Sequence, residues 1–403
     1  MPVQNRVGPP VRGTDFFGRE TFVDLVWEKL SGGHILLAAP RRFGKTSVLY
    51  RLIDEPRQGF KVIHADLEKF RHPSELMTEL IVQLAKQDRL SKIVSRLTYF
   101  PSKLWKEFRN TVEEIDLYEF RLKLKQQLEE GWEEKADDLF SRIAACDETL
   151  IFILDELPMM IDFMRRTPEG RDEARSLLLW LRALRTSPDR TNVRFIVAGS
   201  IGIGQILAEL GEVASINDLE QLRLEPFPRK TAAALIDNLS KTEKVELSPA
   251  CRSKVLNLIG TYVPYFIQVL FSEVAKSYKQ YGESVTPKKI EKIYHDKVLG
   301  VDCKIYFQHY YGRIHDYYPP HEERAIKVLL LELATNVSVK QDVCYQLYRR
   351  SVGKPAQPDG FSYLMSNLEN DFYIRFDSGT TSYEFSCKIL RDWWLRHHGL
   401  ETS

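Results

Sequence analysis

The chain is poor in cysteine, and its few cysteines form no pairing pattern. Cys146, Cys251, Cys303, Cys344 and Cys387 are scattered, and none belongs to a C-x-x-C pair. That spacing argues against a cysteine zinc site, and an odd, dispersed count fits free thiols in a reducing cytosol. The nine histidines show neither H-x-x-x-H nor H-E-x-x-H spacing, so no metal is assigned to them. Long apolar runs are missing too. The longest, around 150–154 and 328–331, are strand-sized and too short to cross a bilayer. Met1-Pro2-Val3-Gln4-Asn5-Arg6 lacks the apolar stretch of a signal peptide, so the expected location is cytoplasmic. Charge of one sign is absent as well. Lys and Arg number 57 against 56 Asp and Glu, a net charge of +1. Such a balance gives no global attraction to nucleic acid or to an anionic membrane, so any basic patch must be local. No internal repeat or low-complexity tract is visible.

What is present is ample core material and a clear alternation of elements. Hydrophobic residues make up 43% of 403, enough for two or three domains. After an extended entry segment with Gly8, Pro9, Pro10 and Gly13, an amphipathic helix is expected over Thr21–Leu30. A buried strand follows at His34–Ala38, then a turn over Ala39–Phe43 and a helix opening at Gly44-Lys45-Thr46. A strand at Phe60–Leu67 and a helix at Pro73–Gln87 come next. The run Thr149–Leu154 is continuously apolar, as in a strand buried on both faces. Helices are expected over 158–186 and a further buried strand over Val193–Ala198. Strands alternating with helices specify a parallel sheet with helices on both faces. From Pro228 to Val298 the pattern is helical only. Beyond Glu322, helices near 322–334, 338–349 and 359–369 precede two short strands near Phe372–Phe376 and Ser382–Ser386. A last helix carries Trp393-Trp394. Three helices and a hairpin is the winged-helix order. The expected architecture is therefore an α/β core over 1–227 with a helical insert over 86–145, an all-helical segment over 228–300, and a linker with a winged-helix domain over 301–403; the turn and the resemblance described below imply a P-loop for the core and a lid for the all-helical segment.

The turn between the first strand and its helix carries the chemistry. Residues Ala39-Pro40-Arg41-Arg42-Phe43-Gly44-Lys45-Thr46, followed by Ser47, match G-x-x-x-x-G-K-[ST] except at the first position. This pattern turns backbone N–H groups into a concavity at a helix N-terminus, where phosphate binds. Gly44 lets the backbone approach the phosphates, Lys45 places a point charge on the β and γ oxygens, and Thr46 offers a hydroxyl to Mg²⁺. Ala39 adds only a Cβ where the turn begins. The implied ligands are ATP or ADP with Mg²⁺.

A second set of residues fits the same chemistry. The strand ending at Leu154 is followed by Asp155 and Glu156. Asp155 suits an outer ligand of Mg²⁺, and Glu156, ionised at neutral pH and longer by one bond, suits polarising a water. Alone, an apolar strand ending in two acids is more often a solvated strand end; beside a P-loop it reads as functional. The strand Val193–Ala198 ends at Gly199-Ser200. Ser200 fits contact with the γ-phosphate or the water, and equally an N-cap for the segment after it. Arg41 reads either as a neutraliser of γ-phosphate charge or as a solvent-exposed loop residue. Arg165, Arg166, Arg182, Arg185 and Arg190 crowd the segments after the acidic strand, where an arginine finger or plain surface charge could reside.

Taken together, these stations resemble the STAND and AAA+-like P-loop ATPases, in particular the archaeal and bacterial group with a G-P-R-R-x-G-K-T/S turn. Phe16-Phe17-Gly18-Arg19-Glu20 resembles that group's F-x-G-R-E box, which implies a place for Gly18 and Arg19 near base and ribose. Leu179-Trp180-Leu181-Arg182 and Gly199-Ser200-Ile201-Gly202 resemble its later helix and sensor strand. Leu224-Glu225-Pro226-Phe227 resembles the step into the lid. Gly260-Thr261-Tyr262-Val263-Pro264-Tyr265 resembles the lid's G-x-P element and implies that Pro264 packs near the adenine, although three residues rather than one separate Gly260 from Pro264. The resemblance implies a nucleotide-gated switch whose winged helix clamps the nucleotide-bound core.

Two regions bear on partners. Residues 86–109 carry seven Lys and Arg against two acids, with Tyr99, Phe100, Trp105 and Phe108 interleaved; residues 110–134 carry eight acids against three basic residues. Opposite halves of a helical hairpin are the preferred reading, over a nucleic-acid surface. The helix at 359–369 would be the one entering a major groove, yet it holds no Lys or Arg and has acids at both ends. Phosphate contact and base readout rely on those residues, so DNA reading by the winged helix is disfavoured. Phe361, Leu364, Met365 and Leu368 are instead expected inside the small domain, and Tyr306, Phe307, Tyr310, Tyr311, Tyr317 and Tyr318 are read as interdomain packing rather than base stacking. Three functions remain open: a slowly hydrolysing regulatory ATPase acting on a partner protein, with nucleotide-dependent self-assembly allowed; a nucleic-acid-handling ATPase serving transposition or loading; and a nucleotide-binding scaffold without turnover.

Overall fold

The computed structural model describes residues 3–87, 90–97, 99, 114–200, 202–282, 284–353 and 356–399. The greater part of the basic segment 86–109, including Arg89, Lys103, Lys106, Arg109 and the rings of Phe100, Trp105 and Phe108, lies outside the described residues. So does Ile201. The chain divides into two compact units, each assembled from separate stretches of sequence.

One unit comprises Glu20–Ala39 and Val48–Leu224. Its centre is a five-stranded parallel sheet: β1 (His34–Ala38), β2 (Phe60–Asp66), β3 (Thr149–Asp155), β4 (Val193–Gly199) and β5 (Leu219–Arg223), in the order β2-β3-β4-β1-β5. Strands β3 and β4 are buried almost end to end, which is why their sequences are unbroken apolar runs. Phe140, Phe152 and Phe195 form a ring cluster with centroids 5.1 to 5.9 Å apart. The helix Pro73–Ala85 is buried nearly all round. It opens with a capping box in which His72 Nδ1 accepts from the Ser74 amide and Glu75 Oε2 accepts from the His72 amide. From the insert, the helix Glu114–Glu129 reaches this helix through Lys125, 3.0 Å from Glu75, and through Arg121 with Glu79. Two of the three basic groups of the acidic half, Arg121 and Lys125, are thus satisfied by the core helix.

The other unit comprises Met1–Arg19, Pro40–Ser47 and Glu225–Ser403. Four helices, Arg229–Glu243, Pro249–Ile259, Pro264–Tyr281 and Pro287–Ile293, make the lid. Three of them open on proline, whose missing N–H costs nothing in the first turn. Ser248 and Thr286 cap two of these by accepting from the amides three residues on. The helix Ile305–Tyr317 leads to the C-terminal module. There Pro320–Asn336, Gln341–Val352 and Pro358–Asn370 combine with β6 (Ser338–Lys340), β7 (Ile374–Asp377) and β8 (Ser382–Phe385) in an antiparallel β6-β8-β7 sheet, closed by the helix Lys388–His398. This is a winged helix with a three-stranded wing. Phe361, Leu364, Met365 and Leu368 are buried as expected. Phe307 stacks on Phe266 at 5.5 Å and on Trp393 at 5.7 Å, tying lid, linker helix and winged helix into one core.

Two strands depart from the sequence expectation. β5 reads Leu-Glu-Gln-Leu-Arg and is an edge strand with three exposed positions, so it lacks the apolar run that betrays the central strands. β6 is only three residues long, and the helix expected from 338 begins at Gln341 instead. Among the described residues, no helix is long and apolar enough to cross a membrane.

Candidate functional site

Of the candidate phosphate-turn residues, Pro40–Ser47 lie in the unit that contains the lid and winged helix, and Ala39 lies in the sheet unit. β1 ends at Ala38, and the helix Lys45–Asp54 opens after a turn in which Gly44 has φ +93° and Arg42 φ +74°. Glycine adopts this left-handed backbone without strain; Arg42 does so only if held. Arg42 is held: its guanidinium donates to the Gly8 carbonyl at 3.2 Å and lies 4.8 Å from the Tyr265 ring centre. Ala39 is buried, and its amide donates to the Gly199 carbonyl. The Phe43 amide closes the turn onto the Pro40 carbonyl at 3.4 Å. Lys45 is buried, Thr46 and Arg41 are half-buried, and Ser47 Oγ accepts from the Val11 amide at 3.0 Å, stitching the N-terminal segment to the turn.

Gly18 and Arg19 belong to the same neighbourhood. Gly18 has φ +70°, and a Cβ there would meet Thr231 at 2.6 Å and Phe227 at 3.2 Å, so only glycine fits. Arg19 donates to the Phe43 carbonyl at 3.4 Å and lies 4.5 Å from the Phe227 ring centre. Burial pulls its pKa down to about 10 against the opposing pull of Glu225. Arg19 thus braces the back of the turn. Pro264 is the first residue of the helix Pro264–Tyr281, half-buried, and Gln268 one turn on accepts from Asn5 at 3.4 Å.

Residues that sequence reasoning missed sit against this turn. Phe43 is buried edge-on against Phe372 of the winged helix, with centroids 4.7 Å apart at 81°. Phe372 itself has φ +65°, an unusual backbone for an aromatic residue. Next to it in sequence, Asp371 pairs with Arg313 of the linker helix at 3.3 Å, both buried. Burial raises the Asp371 pKa against the pull of Arg313. Nothing local in the sequence marks these residues, because their partners lie far along the chain.

The carboxylates belong to the sheet unit. Asp66 of β2 is opposite Asp155 of β3, and Asp155 is opposite Ala198 of β4. Ala38 of β1 is opposite Gly199 of β4, so the ends of these strands share one edge of the sheet. Asp155 is buried; its Oδ1 accepts from the Glu156 amide at 3.0 Å, and His64 Nε2 lies 4.0 Å from Oδ2. Glu156 has φ +56°, which turns it out of the strand direction. Its Oε2 accepts twice from Ser200, from the amide and from the hydroxyl, each at 3.1 Å. Ser200 therefore holds Glu156, and the N-cap of the helix Ile203–Leu210 is Gly202 instead. Among the arginines considered for a finger, Arg165 and Arg166 pair with Asp162, Arg185 with Asp218 and Arg190 with Asp137.

This geometry has solved relatives. The chain is similar to a Walker-type ATPase of Pyrococcus abyssi, with 16% identity over 96% of this chain and 99% of that one and a TM-score of 0.61. The fold is that of a Walker-type ATPase. A further likeness, to the ORC2 protein of Aeropyrum pernix in its ADPNP and ADP complexes, has 11% identity over 95% of this chain and 92% of that one and a TM-score of 0.50. No family model matches the chain, and no curated protein does.

Proposed function

We propose that this protein binds ATP with Mg²⁺ through Pro40–Ser47 and acts as a slow regulatory ATPase, a nucleotide-gated switch of the STAND and AAA+ kind. The carrying observation is the turn itself: Gly44 in the left-handed region, followed at once by the helix Lys45–Asp54, directly after a strand of a parallel sheet. Amides at such a helix opening take phosphate, and Lys45 adds the compensating charge. The likeness to a Walker-type ATPase supports the reading.

The donor set suits magnesium. Thr46 and Asp155 offer oxygen only, one hydroxyl and one carboxylate, and Mg²⁺ commonly takes few protein oxygens beside phosphate and water. When bound, Mg²⁺ would neutralise charge on the β and γ oxygens. Glu156 is the candidate base for the attacking water, and Ser200 restrains it through the two hydrogen bonds it gives to Oε2. A restrained base fits slow turnover. Arg41, Arg42, Phe43 and Ser47 shape the turn, while Gly18, Arg19 and Pro264 are assigned to the base side.

Contact between Phe43 and Phe372 supports a switch, because the phosphate turn and the winged helix then report on one another. The output is assigned to a protein partner or to nucleotide-dependent self-association. The alternatives, a transposition or loading helper and a scaffold without turnover, draw on no described contact. Isothermal titration with ATP and Mg²⁺ tests the reading. Lys45→Ala should lose affinity at least tenfold, the scale of one charge-assisted hydrogen bond of about 1.5–3 kcal/mol; unchanged affinity removes the phosphate-turn assignment.

A further inference from the structure

The linker helix Ile305–Tyr317 belongs to no motif, yet one face of it is directed at the phosphate turn. Tyr306, His309, Tyr310 and Arg313 follow helical spacing and share that face. Tyr306 meets Tyr265 edge-on at 6.1 Å, and Tyr265 is the ring beneath Arg42. Tyr310 and Arg313 face the winged helix: the Tyr310 carbonyl accepts from Tyr373 at 2.6 Å, and Arg313 pairs with Asp371.

His309 is the anomaly on this face. Both of its ring nitrogens are buried, and among the described residues neither has a hydrogen-bond partner. A neutral imidazole carries one donor and one acceptor, and burying both unmet is unfavourable. Burial holds its pKa down to about 3, with the charges of Arg42, Arg313 and Arg41 adding to the effect. The charges of Arg41, Arg42 and Arg313 all act on His309, and those of Arg41 and Arg313 also act on the Asp371 carboxylate. An anion entering beside His309 would satisfy the imidazole and offset the guanidiniums at once. Amides at the opening of the helix Lys45–Asp54 suit the inner phosphates. Arg41 and Arg42 precede that opening, and their charges reach His309.

We propose that His309 is a terminal-phosphate sensor, donating a hydrogen bond to the γ-phosphate of the nucleotide held at Pro40–Ser47, with Arg41 sharing that phosphate. The assignment rests on the phosphate-turn reading of Gly44-Lys45-Thr46. It also gives the sensor an output, since His309 stands one turn from Arg313 and its Asp371 contact in the winged helix.

The test compares affinities for ATP, ADP, and ADP with beryllium fluoride as a γ-phosphate mimic, in full-length wild type, His309→Leu, His309→Gln and Lys45→Ala. His309→Leu should weaken ATP and ADP–beryllium fluoride about tenfold or more and leave ADP within about twofold, as expected for loss of one charge-assisted hydrogen bond. His309→Gln, which keeps a donor, should fall between. The nucleotide-free His309→Leu protein should melt no lower than wild type, because an unmet buried polar group has been removed. Equal losses for ATP and ADP, or no loss for either, overturn the sensor. So does failure of both histidine variants to fold, which would make the residue structural. If Lys45→Ala abolishes binding while the ATP-to-ADP ratio survives His309→Leu, the sensor alone is wrong; if Lys45→Ala binds normally, the phosphate-turn reading itself falls.

Discussion

Removing the Phe372 ring tests whether the winged helix acts as a clamp on the phosphate turn. Phe372 packs edge-on against Phe43, and Phe43 is almost wholly buried. An edge-to-face pair contributes about 0.5–1.5 kcal/mol beyond its area. Phe372 is half-buried, so its remaining loss on truncation lies below the roughly 3–5 kcal/mol of a fully buried Phe→Ala change. A total on the order of 2 kcal/mol is expected for Phe372→Ala. If the contact is made only in the nucleotide-closed state, that sum appears in the release rate, about thirtyfold faster. The assay is stopped-flow release of a fluorescent ADP analogue, with a thermal melt of the nucleotide-free protein beside it. Deleting the whole winged helix is the poorer probe, because Phe307, stacked on Trp393, would be laid bare. Release unchanged within twofold, together with a lowered melting temperature, would refute the clamp: the two rings would then be packing that is indifferent to nucleotide.

Two more outcomes follow from single residues. Glu156→Gln should keep ATP affinity and slow hydrolysis by roughly 10²–10⁴-fold, the usual cost of losing a general base; single-turnover kinetics checks this, and a wild type without turnover would favour the scaffold. His34→Gln should blunt acid sensitivity of the sheet unit. His34 Nδ1 accepts from the Phe195 amide and Nε2 donates to the Arg185 carbonyl, so the ring is held neutral, and burial lowers its pKa to about 4. The unfolded chain binds the proton first, so this stability is present above about pH 6.5 and is lost as pH falls toward 4, up to roughly 3 kcal/mol. Melting curves from pH 7 to 4 should fall more steeply for wild type than for the variant.

The legibility of this chain in its sequence varies with how local each signal is. β1, β3 and β4 were readable because burial on both faces demands uninterrupted apolar residues, and the turn was readable because its chemistry fixes residue types at fixed spacing. β5 was not, because an edge strand with Glu220, Gln221 and Arg223 facing solvent has no periodic signature strong enough to separate it from a loop. The partners Phe43 and Phe372, Arg313 and Asp371, and Glu156 and Ser200 were invisible for a different reason. Each pair is created by folding between distant stretches, and neither member carries a mark of the other. His309 looked like one more histidine without metal spacing; only its surroundings make it unusual.

The way the compact units are threaded has a consequence for biosynthesis. The phosphate turn at Pro40–Ser47 leaves the ribosome early, but the unit that contains it is completed by Glu225–Ser403. Arg42 waits for Tyr265, and Phe43 waits for Phe372, before the turn has its supports. A nascent chain can finish β1 to β5 and still lack a braced turn until Phe372 has emerged. The supports of the turn are therefore acquired only once Tyr265 and Phe372 have been made, and chains that stall before residue 372 carry the motif without the means to hold it in shape.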